Sequence, residues 1–137
     1  MQTFLPYPDF ARSAAVLDRQ RLGKQRVEVL QLLKAITTGG GWSNHPAARM
    51  WRGHTDALCR YGEAVCAEWI ERGYSDTCME KIEGYRIYNL VVLPSWLGRE
   101  DFHASHRSNL LRKDPDWYSS FGWSESPDLP YVWPTQE

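Results

Sequence analysis

The sequence predicts an all-α fold, and three observations lead to this prediction. Apolar residues recur at helical spacing in two long stretches, from Phe10 to about Thr37 and from about Thr55 to Arg72. Glycine follows each stretch shortly after its end, where a helix commonly stops. Only the segment from Tyr85 to Leu93 has the composition of a strand, and it has no evident partner strand. We therefore expect one compact domain, residues 1–137, with about three main helices and long irregular connections.

The N-terminal segment is expected to be extended, because two prolines lie close together in MQTFLPYPDF. Asp9 can cap the helix that begins at Phe10. This helix is expected to bend near Asp18 and to end at Gly39-Gly40-Gly41. Its apolar side consists of Leu22, Val29, Leu33 and Ile36.

A short helix is predicted from Pro46 through Trp51, because capping residues and an early proline precede it and Gly53 follows it. The helix from about Thr55 to Arg72 buries a stripe of large side chains. These are Leu58, Tyr61, Val65 and Trp69. One or two helical turns are expected between Thr77 and Glu83.

The C-terminal third is predicted to contain one more long helical region and a tail. Tyr85 to Leu93 is expected to be an extended segment that crosses the core. Pro94-Ser95 introduces a helical region through Lys113, and a short helix from Asp114-Pro115 ends at Gly122. The tail from Trp123 is rich in proline and aromatic residues, so it is expected to wrap over the body.

The composition excludes several classes of protein. The chain is 42% hydrophobic and 24% charged, which is typical of a globular protein and excludes general disorder. No apolar run approaches the ~18 residues of a membrane span, and the N-terminus does not resemble a signal peptide. We expect a cytoplasmic monomer with no membrane association. Cys59, Cys66 and Cys78 form no CxxC pair and are expected to be buried free thiols.

The charge distribution indicates a phosphate-bearing partner more clearly than the net charge of −1 does. Residues 114–137 hold five acidic residues and no basic residue. The preceding residues therefore hold 16 basic and 12 acidic residues, and the segment 19–34 is strongly basic. Seven Trp and seven Tyr residues suit either a large core or the stacking of nucleic-acid bases.

Helical geometry divides the basic segment into two faces. Arg19, Leu22, Gly23, Arg26 and Leu30 share one face, while Arg21, Lys24 and Glu28 are expected to face water on the other. Arginines on an apolar stripe indicate either internal ion pairs or a polar cleft. Gly23 favours the cleft, because a glycine inside a helix often allows a close approach.

Four histidines occur as two pairs, His45 with His54 and His103 with His106. They suit a cleft role in proton transfer or phosphate contact, a structural role, or a metal site. HxxH alone is a weak metal signal and no HExxH accompanies it, so we expect no metal. Phosphate-binding loops, dinucleotide motifs and GxSxG are also lacking, and we expect no cofactor.

Four segments in the same order resemble the pyrimidine-dimer DNA glycosylases, the phage-type endonuclease V family, and most closely its members that open with MQTFLPYP. They are the N-terminal segment with the Arg26-Val27 helix, Gly53-His54 with the following helix to Tyr74, Arg107, and the ending Trp117-Tyr118-x-x-Phe121-Gly122. The ending is the most specific of them.

The resemblance implies a compact helical fold that binds duplex DNA and flips a nucleotide. It implies that a free N-terminal amine attacks the sugar C1′, assisted by a glutamate on the first helix and by arginines. Here the bulky Gln2 blocks removal of the initiator methionine, so the amine belongs to Met1. The family's glutamate is matched by Gly23, so Asp18 is the expected carboxylate.

The resulting hypothesis is a DNA-repair glycosylase, with abasic-site lyase activity, that acts on a damaged or modified base in duplex DNA. Its catalytic residues are Met1, Asp18 and Arg26, and its phosphate or nucleotide contacts are Arg19, Lys24, His45, His54 and Arg107. A non-catalytic nucleic-acid-binding module and an enzyme acting on a small phosphate-bearing molecule remain the alternatives.

Overall fold

The computed structural model describes residues 1–87 and 91–134 and contains no strand among them, which confirms the all-α prediction. The helices are α1 (Phe10–Val16), α2 (Arg19–Thr38), α3 (Pro46–Trp51), α4 (Thr55–Glu71), α5 (Met79–Glu83), α6 (Glu100–Lys113) and α7 (Pro115–Tyr118), and a 3₁₀ turn covers Ser119–Phe121. The three long helices α2, α4 and α6 have 20, 17 and 14 residues. They are the main helices that the sequence predicts.

The break predicted near Asp18 divides the first helical region into α1 and α2. Leu17 is extended, and the Asp18 side chain accepts a hydrogen bond from the Arg21 amide and caps α2. Asp9 caps α1 in the same way, with 2.8 Å from the Arg12 amide to its carboxylate. Two caps in ten residues therefore set the direction of α2, which carries most of the chemistry described below.

The core lies between α2 and α4. The apolar faces of the two helices are buried through Leu22, Val29 and Leu33 on α2 and Leu58, Tyr61 and Val65 on α4. Gly62 allows α4 to approach its neighbours closely, since a Cβ atom there would lie 2.7 Å from Val29 Cγ1 and 2.9 Å from Ile82 Cδ1. The thiols of Cys59, Cys66 and Cys78 are free and buried, as predicted.

The N-terminal segment runs through the interior, and residues 2–6 are buried. The Gln25 amide group on α2 donates to the Gln2 carbonyl at 2.7 Å and accepts from the Phe4 amide at 2.9 Å. The Tyr61 hydroxyl donates to the Phe4 carbonyl at 2.6 Å. Because a buried extended backbone has no strand partner to bond, these side chains replace the ladder of a sheet.

Helix α6 also forms hydrogen bonds with the N-terminal segment. The Leu5 amide donates to His106 Nδ1 at 2.9 Å, and His103 Nδ1 donates to the Leu5 carbonyl at 2.7 Å. His103 also accepts a hydrogen bond from the Gly98 amide through Nε2 at 2.9 Å. Each histidine therefore has a ring nitrogen that accepts from the backbone, so both are neutral structural residues in this arrangement. No group of three or more metal-ligating side chains occurs among residues 1–87 and 91–134.

The C-terminal tail wraps over the body, as predicted. Tyr131, Val132 and Trp133 pack against the core, and Arg112 on α6 donates to the Pro127 carbonyl at 2.7 Å. The last long helix begins at Glu100, later than the sequence suggested, because a turn occupies Pro94–Gly98. No helix in the described part of the chain is long and apolar enough to span a membrane.

The position predicted for the segment from Tyr85 to Leu93 is wrong for the residues that the structure describes. Tyr85 to Leu93 was expected to cross the core, but Ile87 is 58%, Val92 66% and Leu93 55% exposed. Residues 88–90 lie outside the described residues. The core position expected of this segment is filled by the N-terminal segment, whose polar and proline-containing sequence gave no such signal.

The close approach at Gly62 leads to the first testable expectation. Gly62→Ala should lower the free energy of unfolding by about 1–3 kcal/mol, because the new methyl group would overlap Val29 and Ile82. Gly41→Ala is the matched control, since nothing lies within 4 Å of its added methyl group. Urea unfolding of both variants measures the difference, and equal stabilities would contradict the packing described here.

Candidate active site

The N-terminal residue lies at a cavity of about 300 Å³ beside α2. The cavity is lined by Met1, Gln2, Phe4, Gln20, Arg21, Lys24, Glu28, Lys113 and Tyr131. Helix α2 provides one wall, because residues 21, 24 and 28 recur at helical spacing on one face. The end of α6 and the C-terminal tail provide the rest. The predicted position of Met1 beside the long first helix is confirmed.

Glu28 is the acidic side chain in this cavity. It is only 9% exposed, yet among the described residues it makes no hydrogen bond and no ion pair. A buried carboxylate without a partner is costly and usually neutralises or serves a function. Its charge also affects Tyr131, whose pKa is raised to about 12 by burial first and by Glu28 in addition, against the opposing effect of Arg112 and Arg21.

The Met1 amine is likewise unpaired among the described residues. Met1 and Glu28 line one cavity, so the residue that carries the free amine and the residue that carries the unpaired carboxylate lie at the same site. The Met1 side chain packs against the core, so the amine is held in place at the end of a bonded segment.

Three cations surround the same cavity: Arg21, Lys24 and Lys113. Arg21 pairs with Asp18 at 3.2 Å, whereas Lys24 and Lys113 have no acidic partner in the described residues. The pKa of Lys113 is lowered by partial loss of water around its amine, and then by the charges of Arg21, Arg112 and Lys24. A cluster of uncompensated cations of this kind suits an anionic ligand.

The predicted orientation of α2 is wrong for Arg21 and Glu28. Both were expected to face water, but both line the Met1 cavity, and Glu28 is buried. The reason is the N-terminal segment, which Gln25 holds against this side of α2. A face that is polar by sequence is therefore covered by another part of the same chain.

Asp18 has a structural position. The Tyr118 hydroxyl donates to Asp18 Oδ1 at 2.5 Å and accepts from the Asp18 amide at 3.0 Å, so Asp18 joins α2 to α7. Asp18 lines a neighbouring cavity instead of the one at Met1. Glu28, and not Asp18, is therefore the carboxylate that lines the Met1 cavity.

Gly23 is explained by packing. A Cβ atom at this position would lie 2.9 Å from the Trp69 ring, so the expected close approach to its backbone is made by Trp69. Arg26 also contacts Trp69, with its guanidinium 4.4 Å from the centroid of the ring. The same guanidinium pairs with the buried side chain of Asp76 at 2.5 Å. Both alternatives that the sequence left open for this stripe occur here, an internal ion pair and a polar cleft.

The cleft is a second cavity of about 700 Å³ on the adjacent face of α2. It is lined by Asp18, Arg19, Gln20, Gly23, Lys24, Arg26, Trp69 and Trp117. Lys24 and Gln20 line both cavities, so the two are continuous along the helix. Arg19 and Lys24 are exposed, and Trp117 is 42% exposed. This surface combines cations with aromatic faces, as nucleic-acid-binding surfaces do.

The other predicted contact residues lie apart from one another. Arg107 donates to the Pro6 carbonyl at 2.7 Å and pairs with Glu100 and Glu125, so carboxylates of the same chain compensate its charge. The phosphate contact expected of Arg107 stays a prediction. His54 lines a different cavity with Ile87 and Val92.

His45 remains close to the site. It caps α3, with 3.0 Å from the Ala47 amide to its Nδ1, and its ring contacts Trp133 of the tail. Its pKa is lowered by burial first and then by the positive charge of the N-terminus, so the imidazole lies within electrostatic range of the Met1 amine.

The family model of the pyrimidine dimer DNA glycosylases matches residues 1–81, more than half of the chain. The chain belongs to this family. Searches of curated proteins and of solved structures found no match. The matched range contains the N-terminal segment and α1–α5 up to Lys81, and so it contains Met1 and Glu28. In this chain, α6 and the tail, which close the cavity, lie beyond the matched range.

Sequence reasoning overlooked Glu28, Arg21, Lys113 and Tyr131 as site residues. Arg21, Lys24 and Glu28 were recognised as one stripe, and the signal that could have corrected their assignment is Gln25 in the same stripe. Gln25 also lies at helical spacing from the apolar residues Leu22 and Val29, and a polar side chain that is buried there needs a partner for its amide. That partner is the N-terminal segment. Lys113 and Tyr131 reach the cavity only through tertiary packing.

His106, which accepts the hydrogen bond from the Leu5 amide, is expected to make the stability of the protein depend on pH. Burial lowers the pKa of His106 from 6.5 to about 3, so the unfolded chain binds a proton more readily than the folded protein between these values. His106 should therefore cost about 2 kcal/mol of stability between pH 7 and pH 5.

The variant His106→Asn keeps an acceptor for the Leu5 amide and removes the titration. Its free energy of unfolding should change less than that of the wild type between pH 7 and pH 5, and urea unfolding at the two pH values measures this. The same pH dependence in both proteins would show that His106 is not held neutral in the folded state.

Proposed function

We propose that this chain removes a base of pyrimidine dimers in duplex DNA with the Met1 amine as nucleophile, and that it then cleaves the strand at the resulting site. The observation that supports the proposal most strongly is that Met1 and the buried Glu28 line one cavity. Neither the Met1 amine nor the Glu28 carboxylate has an ion-pair partner among the described residues. Membership of the glycosylase family supports the choice of substrate.

An α-amine suits this chemistry at neutral pH. The ordinary pKa of an α-amine is ~8, so roughly a quarter of such groups are unprotonated near pH 7.4, against about 0.1% of ordinary lysines. The extended N-terminal segment, bonded at Gln2, Phe4 and Leu5, fixes the position of the amine before substrate binds. Such preorganisation lowers the entropic cost of bringing the reacting atoms together.

The proposed reaction begins when the unprotonated amine attacks C1′ of the damaged nucleotide and the bond to the base breaks. The sugar ring then opens, its oxygen takes a proton, and an imine joins C1′ to Met1. Removal of a C2′ proton expels the 3′ phosphate and cleaves the strand. Glu28 can stabilise the positive charge that develops at C1′ and accept the proton from C2′.

The cations of the two cavities would bind the DNA backbone. Lys24, Arg19 and Arg21 are available along one helix, and the exposed Trp117 offers a stacking surface beside them. Binding that depends on about three such contacts should give a slope near −3 when log affinity is plotted against log salt concentration.

The role of Glu28 is tested with Glu28→Gln, which keeps the shape of the side chain and removes its charge. We expect the rate of glycosidic-bond cleavage in a dimer-containing duplex to fall by about 10²–10⁴-fold, because the carboxylate that stabilises the positive charge at C1′ is lost. Glu80→Gln is the control, since Glu80 is exposed on α5. Wild-type rates for Glu28→Gln would contradict the proposal.

The role of Met1 is tested by borohydride trapping. Wild-type protein and an abasic-site duplex should give a reduced covalent adduct that maps to the Met1 peptide. A Gly-Ser extension before Met1 moves the amine out of the cavity and should abolish that adduct. An adduct at Met1 is required, and its absence from the unblocked wild-type protein would overturn the proposed mechanism.

A further inference from the structure

The Met1 cavity contains a second amine that the proposed mechanism does not use. Lys113, the last residue of α6, lines the cavity together with Met1 and Glu28. The cavity of about 300 Å³ is large enough for a sugar, and both Met1 and Lys113 line it. Lys24, the other lysine of the cavity, also lines the neighbouring groove, whereas Lys113 does not.

The charges that face Lys113 come from every element around it. Arg21 and Lys24 face it from α2, Arg112 precedes it on α6, Met1 lines the same cavity, and Glu28 is the one carboxylate among the lining residues. Tyr131 is uncharged at neutral pH, because its pKa is about 12. Lys113 therefore lies among more cations than anions.

This setting favours an unprotonated lysine. Partial loss of water and the neighbouring cations Arg21, Arg112 and Lys24 lower the pKa of Lys113. Among the described residues no carboxylate pairs with its ammonium group, and no hydrogen bond holds it. A lysine activated by cationic neighbours is a known route to imine-forming catalysis. The residue is also exposed, so a substrate can reach it.

We propose that Lys113 is a second imine-forming amine of this site, which reacts with the ring-opened aldehyde of an abasic sugar. This inference rests on the proposed function and adds a second nucleophile to it. The unprotonated Nζ attacks the C1′ aldehyde carbon, the aldehyde oxygen leaves as water, and a C1′–Nζ imine remains. Transfer of a C2′ proton to Glu28 then expels the 3′ phosphate, and the electron pair forms the C2′–C3′ double bond.

The reaction proposed for Lys113 differs from the reaction proposed for Met1. Met1 displaces a base from an intact nucleotide, whereas Lys113 captures a sugar that has already lost its base. The site would therefore cleave abasic DNA even when the Met1 amine is blocked. The substrate class of this second activity is an aldehyde-bearing abasic sugar in duplex DNA, without any damaged base.

The first experiment traps the imine with borohydride on an abasic duplex and maps the adduct by peptide mass spectrometry. With the Gly-Ser extension before Met1, we expect an adduct at Lys113 in place of the Met1 adduct. Lys113→Arg in the extended protein should abolish it, whereas Lys34→Arg, at an exposed position elsewhere on α2, should leave it intact. Adducts confined to Met1 in the wild type and lacking in the extended protein would overturn the inference while leaving the proposed function intact.

A second experiment is independent of DNA. Reductive methylation of the free protein with formaldehyde at pH 7 should modify Lys113 about threefold or more faster than Lys34 and Lys81, because only the unprotonated amine reacts. Equal rates would overturn the inference. Fast methylation of Lys113 together with no adduct of any kind on abasic DNA would contradict both this inference and the proposed function.

Discussion

The burial of the N-terminal segment is the constraint on which the rest of the structure depends. A chain end that enters the interior must have its backbone groups satisfied, and side chains from α2, α4 and α6 provide the partners. The side chains that provide these partners hold the N-terminal segment in place and also stabilise the fold. They are Gln25, Tyr61, His103 and His106. Since they converge on residues 2–5, the Met1 amine is placed by the three longest helices at once.

Helix α2 combines three tasks on its different faces. Its apolar face packs on α4, the face with Gln25 and Glu28 receives the N-terminal segment, and the face with Arg19 and Gly23 borders the tryptophan-lined groove. The Asp18 cap fixes the rotation of the helix through its bonds to Tyr118. Small changes at this cap would therefore move the walls of both cavities together.

The C-terminal part closes the site and compensates charge. Arg107, which the sequence made a candidate for phosphate contact, joins the N-terminal segment at Pro6 to Glu125 of the tail. Lys113 and Tyr131 complete the cavity around Met1. The family match at residues 1–81 covers the amine and the carboxylate, whereas the residues that enclose them lie later in the chain.

The sequence by itself determined the helices and the family, because caps, glycine stops and helical periodicity are local signals: Asp9, Asp18 and Gly39 act where they were expected to act. It also indicated that the Met1 amine belongs beside the first long helix. Only the tertiary structure decided which face of α2 lies at Met1: Glu28 lines that cavity and Asp18 does not, while Arg107 is paired with carboxylates of the same chain. The physical reason is that a polar helix face has the same residue pattern whether it contacts water or a buried segment of the chain. Only long-range packing determines which of the two covers it.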